Sequence, residues 1–184
     1  MPSTDSEWLS GARRLDERTL AEIYDALSPA LFRYAFRLLG DRQACEDVVA
    51  ETFHRLILAL RSEAGPRQNL RAYLYRIAHN LAMDRRRREA RRGVEVELDG
   101  LPLPADDDPA RAAEHQITGE KARTALWSLT ADQRQVVLLK YYEGLSNEEI
   151  AAALGKPVGA VKSLQHRALE GLRRMLDTTA EGDG

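Results

Sequence analysis

The chain has 184 residues, of which 43% are hydrophobic and 30% charged, with a net charge of −2. That length allows one large domain or two small ones, and the composition is that of a folded globular chain. A single cysteine, Cys45, excludes an internal disulfide, and neither the N-terminal stretch nor any other is apolar for long enough to be a signal peptide or a membrane span. These features predict a cytoplasmic protein.

From the N-terminus, Leu20, Ile23, Tyr24 and Leu27 keep helical spacing, and so do Leu31, Tyr34, Ala35 and Leu38. Pro29 is a candidate kink or division in this stretch, Gly40 closes it, and Asp41 is placed to cap the next helix. That helix sets Ala44, Val48, Thr52, Leu56 and Ala59 near one face, with Glu46, Asp47 and Glu51 elsewhere around it. Residues 62–69 (SEAGPRQN) break the pattern. Asn69 then caps a third helix, whose predicted core face is Tyr73, Leu74, Ile77, Ala78 and Leu81.

This helix runs out as DRRRREARR, residues 84–92. Four successive arginines surround a helix completely, so none of its faces is expected to enter a core. The run reads either as a solvated helix end, where cations suit the dipole, or as a phosphate contact. Between residues 71 and 92 there are eight arginines and two acids, which strengthens the second reading.

Charge then reverses. Residues 1–92 carry 17 basic and 13 acidic side chains, residues 93–118 carry 1 and 7, and residues 119–184 carry 9 of each. Pro102, Pro104 and three successive aspartates in the acidic stretch argue against a packed element. Gly93–Asp108 is therefore a predicted flexible linker between domains 1–92 and 109–184. The expected fold class is all-α: two small helical domains joined by an acidic linker.

The second domain opens at Asp108-Pro109 and is predicted to hold helices near 109–128, 131–142, 147–154 and 158–176. Thr130 with Gln133, and Ser146 with Glu149, have capping-box spacing, and Gly144 and Gly155 stop the helices before them. The last two helices meet across Gly155-Lys156-Pro157. Ala151, Ala152 and Ala153 permit close approach, so the pair reads as a helix-turn-helix or as an ordinary helical hairpin. On the final helix Val158, Val161, Gln165, Ala168, Leu169, Leu172 and Leu176 share one face, while Lys162, Ser163, His166, Arg167 and Glu170 share the other. The polar set can reach phosphates and base edges. Gln165 falls on the apolar face, so its amide is expected to bond to backbone or to a neighbouring helix, with Leu164 at the edge of that face.

Three stretches appear in order around the acidic linker: GDRQACEDVVAETFHRLILAL, NLRAYLYRIAHNLAMDRRRR and LSNEEIAAALGKPVGAVKSLQHRALEGLRR. Together they resemble the extracytoplasmic-function sigma factors of the sigma-70 family, over nearly all of residues 18–176. The resemblance implies a bacterial transcription initiation factor that binds core RNA polymerase and directs it to promoter DNA, with no chemistry of its own. Its implied partners are the beta-prime clamp helices and beta flap of the polymerase, promoter DNA and an anti-sigma factor, with no membrane contact by itself. It assigns polymerase docking to Glu46, Asp47, Val48 and Glu51, although glutamine is frequent in the family where this chain has Ala50. It assigns contacts to a melted minus-ten element to Arg67, Asn69, Tyr75, Arg76, His79, Asn80, Asp84, Arg87 and Arg88, with the 62–69 loop taking a flipped base. Reading of the minus-thirty-five element falls to Lys162, Ser163, His166 and Arg167. Arg-Leu is frequent in the family where this chain has Leu164-Gln165.

Two other classes account for the sequence less well. A simple helix-turn-helix regulator with a helical dimerisation domain leaves the arginine run and the acidic linker without a joint explanation. An enzyme is disfavoured because His54, His79, His115 and His166 are scattered, with no paired cysteines, metal-binding histidine spacing or glycine-rich phosphate loop. No cofactor and no metal site are expected.

Overall fold

In the computed structural model the described residues are 5–92 and 124–181, with side chains as far as Met175. Among them the secondary structure is entirely helical, in two compact units. The predicted linker, Gly93–Asp108, and the start of the helix expected from residue 109 lie outside the described residues.

The first unit contains α1 (Asp5–Arg13), α2 (Glu17–Leu39), α3 (Arg42–Arg61) and α4 (Leu70–Arg91). Helices α2, α3 and α4 pack against one another, and α1 rests on α2 and α4. Ile23, Leu31, Tyr34 and Leu38 from α2 meet Leu56 from α3 and Leu70, Leu74 and Tyr75 from α4, all of them fully buried. Cys45 is buried in the same core, and burial pushes its thiol pKa up to about 12.

Local signals account for most of the helix ends. The Asp41 carboxylate accepts from the Ala44 N–H at 2.6 Å, and Gly40 closes α2 at a φ of 73°. Helix α1 has no counterpart in the sequence reading. Its buried residues are Leu9, Gly11 and Ala12, with Trp8 half-buried, and it is too short for periodicity to stand out.

Three expectations need correction. Pro29 does not divide α2, which is continuous through it. Pro29 and Asp25, four residues before it, are both exposed, so the carbonyl that lacks a partner faces water. Asn69 stands at the N-cap of α4 but in the left-handed region, with no side-chain cap bond. The cap comes instead from Asp5, whose carboxylate accepts from the Leu70 N–H at 3.2 Å and the Arg71 N–H at 3.4 Å. The core face of α4 is Leu70, Leu74, Tyr75, Ala78, His79 and Ala82, while Tyr73, Ile77 and Leu81 are only half-buried. The face is turned because His79 is buried with a partner: its Nδ1 lies 2.8 Å from the Tyr34 hydroxyl.

The rest of the described chain forms helical residues 124–128, α5 (Ala131–Val137) continuing into a π-helical turn (Leu138–Tyr142), α6 (Asn147–Leu154) and α7 (Val158–Glu181). Both capping boxes form. Gln133 N–H donates to Thr130 Oγ1 and Thr130 N–H to Gln133 Oε1, with Glu149 and Ser146 exchanging the same pair of bonds. Gly144 and Gly155 end their helices at φ of 66° and 62°. Nothing lies within 4 Å of a Cβ added at either, so the positive φ alone accounts for glycine there. The π turn, closed by the Glu143 N–H on the Leu138 carbonyl at 3.2 Å, leaves Tyr141 and Tyr142 exposed.

Candidate nucleic-acid interface

The joint between α6 and α7 is built by backbone geometry. Gly155 turns the chain, the Lys156 N–H donates to the Ala151 carbonyl at 3.0 Å, and Pro157 stands just before α7, where its missing N–H costs nothing. Lys156 also pairs with Asp132 at 2.9 Å, tying the joint to α5. Ala151 and Ala153 are buried and Ala152 is exposed. Val161 and Ala168 are fully buried, while Lys162, Ser163, His166 and Arg167 are all exposed. Their contacts are local: His166 lies 3.3 Å from Glu170, Arg167 Nε donates to the Ser163 carbonyl, and Ser163 Oγ donates to the Gly159 carbonyl. The guanidinium and ammonium groups are thus presented to solvent on one side of the helix, suited to phosphates and base edges.

Gln165 is half-buried, and its Nε2 donates to the Tyr141 hydroxyl at 2.7 Å. The amide has the neighbouring partner expected of it, supplied by the π turn. Leu164 is half-buried beside it.

In the first unit the candidates fall into three groups. Arg76, Asn80, Asp84 and Arg87 are spaced by four, four and three residues, so they line one edge of α4. Arg76, Asn80 and Arg87 are exposed, and Arg87 pairs with Asp84 at 2.7 Å. The Arg76 guanidinium lies 5.0 Å from the Tyr73 ring centre. Arg67 is exposed on the 62–69 loop, whose end is set by half-buried Asn69. The second group, Tyr75 and His79, leaves the surface altogether. Both belong to the core, Tyr75 edge-on to the Tyr34 ring at 5.2 Å and His79 against the Tyr34 hydroxyl. The third, Arg88, lines a cleft of about 360 Å³ between α3 and α4 rather than the Arg76 edge.

That cleft is also lined by Asp47, Val48, Glu51 and Arg85. Glu46 and Asp47 are exposed, whereas Val48 is 4% exposed and underlies the surface instead of projecting from it. Arg85 Nη1 donates to Asp47 at 3.1 Å and its Nε to Glu89 at 3.1 Å. Burial opposes the charge on Arg85, but these bonds outweigh it and hold its pKa above the ordinary value. The Arg55 guanidinium, bonded to Glu51 at 2.8 Å, holds that carboxyl below its ordinary pKa. The arginine run is therefore not wholly solvated. Arg86 is half-buried and donates to the Leu38 carbonyl at 2.9 Å, filling an acceptor in the last turn of α2. Among the described residues no group of three or more His, Cys, Asp or Glu is placed to hold a metal ion, and no helix is long and apolar enough to cross a membrane.

Residues 23–92 match the family model for sigma-70 region 2, and residues 119–172 match that for sigma-70 region 4. The chain is 35% identical to the ECF RNA polymerase sigma factor SigL of Mycobacterium tuberculosis, over 91% of this chain and 94% of that one. It is 32% identical to the ECF RNA polymerase sigma factor SigE of Mycolicibacterium smegmatis, over 94% of this chain and 72% of the relative. Among solved structures it is similar to CnrH in complex with the cytosolic domain of CnrY, with a TM-score of 0.71, 25% identity, and 95% and 97% of the two chains covered. It is also similar to the sigma factor RpoE in complex with the anti-sigma factor NepR from Bartonella quintana, with a TM-score of 0.64, 27% identity, and 83% and 92% covered.

Proposed function

The chain belongs to the ECF group of the sigma-70 family, a transcription initiation factor and not an enzyme, and from that premise we propose how its residues divide the work. The domain boundaries of this reading are 1–92 for polymerase and minus-ten binding, 93–108 for the linker and 109–184 for minus-thirty-five binding. Glu46, Asp47 and Glu51 dock on the polymerase clamp helices, with Val48 supporting them from beneath. The 62–69 loop with Arg67, Arg76, Asn80, Asp84 and Arg87 receives the melted minus-ten strand, whose flipped base costs a few kcal/mol to extrude. Lys162, Ser163, His166 and Arg167 read the minus-thirty-five element from the major groove. The protein works in the cytoplasm beside polymerase, and an anti-sigma factor is its natural antagonist, in keeping with the partners of the similar solved structures.

The observation that carries this reading is the clean division of α7, with its apolar side packed and four DNA-competent side chains exposed on the other. The test is promoter-dependent transcription with core polymerase. Asp47→Lys with Glu51→Lys should abolish polymerase binding, whereas Asn80→Ala should leave that binding intact and impair promoter opening. Equal loss of polymerase binding in both sets would overturn the assignment, and tight promoter binding by the isolated chain at physiological salt would favour a simple regulator.

A further inference from the structure

Beside the 62–69 loop lies a second cleft, of about 260 Å³, lined by Arg13, Leu60, Glu63, Gly65 and Arg67. We propose that this cleft holds a backbone phosphate of the DNA strand being separated, next to the flipped base, with α1 as one wall. The inference rests on the assignment of the 62–69 loop to the minus-ten strand and adds a helix outside the matched region 2 segment, which begins at residue 23.

Charge is the first reason. Arg13 and Arg67 are both exposed, and among the described residues neither has a hydrogen-bond or ion-pair partner. Arg42, Arg55, Arg85 and Arg87, in contrast, are each paired with a carboxylate. Two guanidiniums facing one cleft with a single carboxylate, Glu63, leave it net positive. The lining itself is the second. Sites for an unstacked base usually offer an aromatic platform, and this cleft has none, so a phosphate is the better occupant.

The walls are also held in place. Asp5, at the other end of α1, accepts from the Leu70 and Arg71 N–H groups and so fastens α1 to the start of α4, directly after the loop. On the floor, a Cβ added to Gly65 would come within 2.8 Å of Leu60 Cδ2, so the loop backbone lies close against that side chain.

Glu63 opposes an anion, which makes its removal informative. The experiment assembles polymerase holoenzyme with each variant and measures binding to a fluorescent fork oligonucleotide, single-stranded across the minus-ten element, over a range of salt. One phosphate contact on a single strand contributes about 0.7 to the slope of log affinity against log salt. Arg13→Ala should lower that slope by about 0.7 and weaken binding about fivefold at 0.1 M salt. Arg13→Lys should keep the slope, and Glu63→Gln should tighten binding. An unchanged slope for Arg13→Ala, or weaker binding for Glu63→Gln, would overturn the proposal. Asn80→Ala separates the two levels: if it impairs opening while Arg13→Ala has no effect, only this inference fails. If neither variant has an effect, the minus-ten assignment of the first unit falls with it.

Discussion

Helices α4 and α7 both carry DNA-binding candidates, yet their polar side chains relate to the rest of the protein in opposite ways. On α7 the exposed set touches, among the described residues, only its own helix, while Val161 and Ala168 on the other side are fully buried. On α4 the polar residues run through the domain: His79 to Tyr34, Arg85 to Asp47 and Arg86 to the Leu38 carbonyl. Recognition and stability are therefore separable on α7 and entangled on α4. A basic helix is not one kind of object. Whether its charges end in water or in neighbouring helices decides what a mutation there reports.

The sharpest break of this contrast is His79→Ala. It deletes a buried ring and a hydrogen bond, so the first unit should lose about 2–4 kcal/mol, read by chemical denaturation. Promoter opening would then fail through loss of fold. If the variant unfolds like the parent and still cannot open promoters, His79 is a DNA reader and the placement of the α4 core is wrong.

Next is Arg167→Ala. Its guanidinium is exposed and, among the described residues, bonded only to the Ser163 carbonyl, so unfolding should shift by no more than about 0.5 kcal/mol. Binding of holoenzyme to the minus-thirty-five element should weaken by about 1–3 kcal/mol if the side chain contacts a base. Ser163→Ala should act in the same direction. Parallel loss of stability and binding would show that α7 is as entangled as α4.

The same contrast explains what the sequence revealed. The faces of α7 were legible because every third or fourth residue is apolar and its polar face bonds only within its own helix among the described residues. Asp41, Thr130 and Ser146 were legible as caps because their partners lie three residues away. The core face of α4 was not, since the partner of His79 is 45 positions distant. Likewise the true cap of α4 is Asp5, 65 positions before Leu70, and no local rule could name it. The packing of Arg86 was not expected because its acceptor is a backbone carbonyl at the end of another helix. The π turn left no mark on the apolar period, so the partner of Gln165 was foreseen as a need and not as Tyr141. Of the candidate site, the polar face of α7 could be read from spacing, whereas the Arg76–Asn80 edge came from the family resemblance alone. Tyr75 and His79 could not be told from surface residues without their partners.

The distant cap should be weaker than a well-aligned local one. Its bonds, at 3.2 and 3.4 Å, are longer than the 2.6 Å bond from Asp41 to the Ala44 N–H. Asp5→Ala should destabilise the first unit by about 0.5–1 kcal/mol, and Asp41→Ala by about 1–2 kcal/mol, in denaturant titrations. Equal costs would mean that Asp5 also holds α1 in place through interactions beyond the cap.

The smallest effect is expected at Gln165, where α7 comes nearest to the behaviour of α4. Its amide donates to the Tyr141 hydroxyl at 2.7 Å, but Tyr141 is 52% exposed, so water replaces the bond at little cost. Leucine at this position would lie against the same half-buried surface and regain some apolar burial. Gln165→Leu should therefore change stability by less than about 1 kcal/mol, and Tyr141→Phe should do the same. The double variant should cost no more than the larger single one, because both remove one shared bond. A selection over randomised minus-thirty-five elements should return the parent's base preferences for all three, since the bond faces the π turn and not the exposed side of α7. If Gln165→Leu keeps its melting temperature but changes the preferred bases, Gln165 is itself a reader. The helix would then have to turn about its axis on DNA to expose it, and the separation of packing from recognition on α7 would not survive binding.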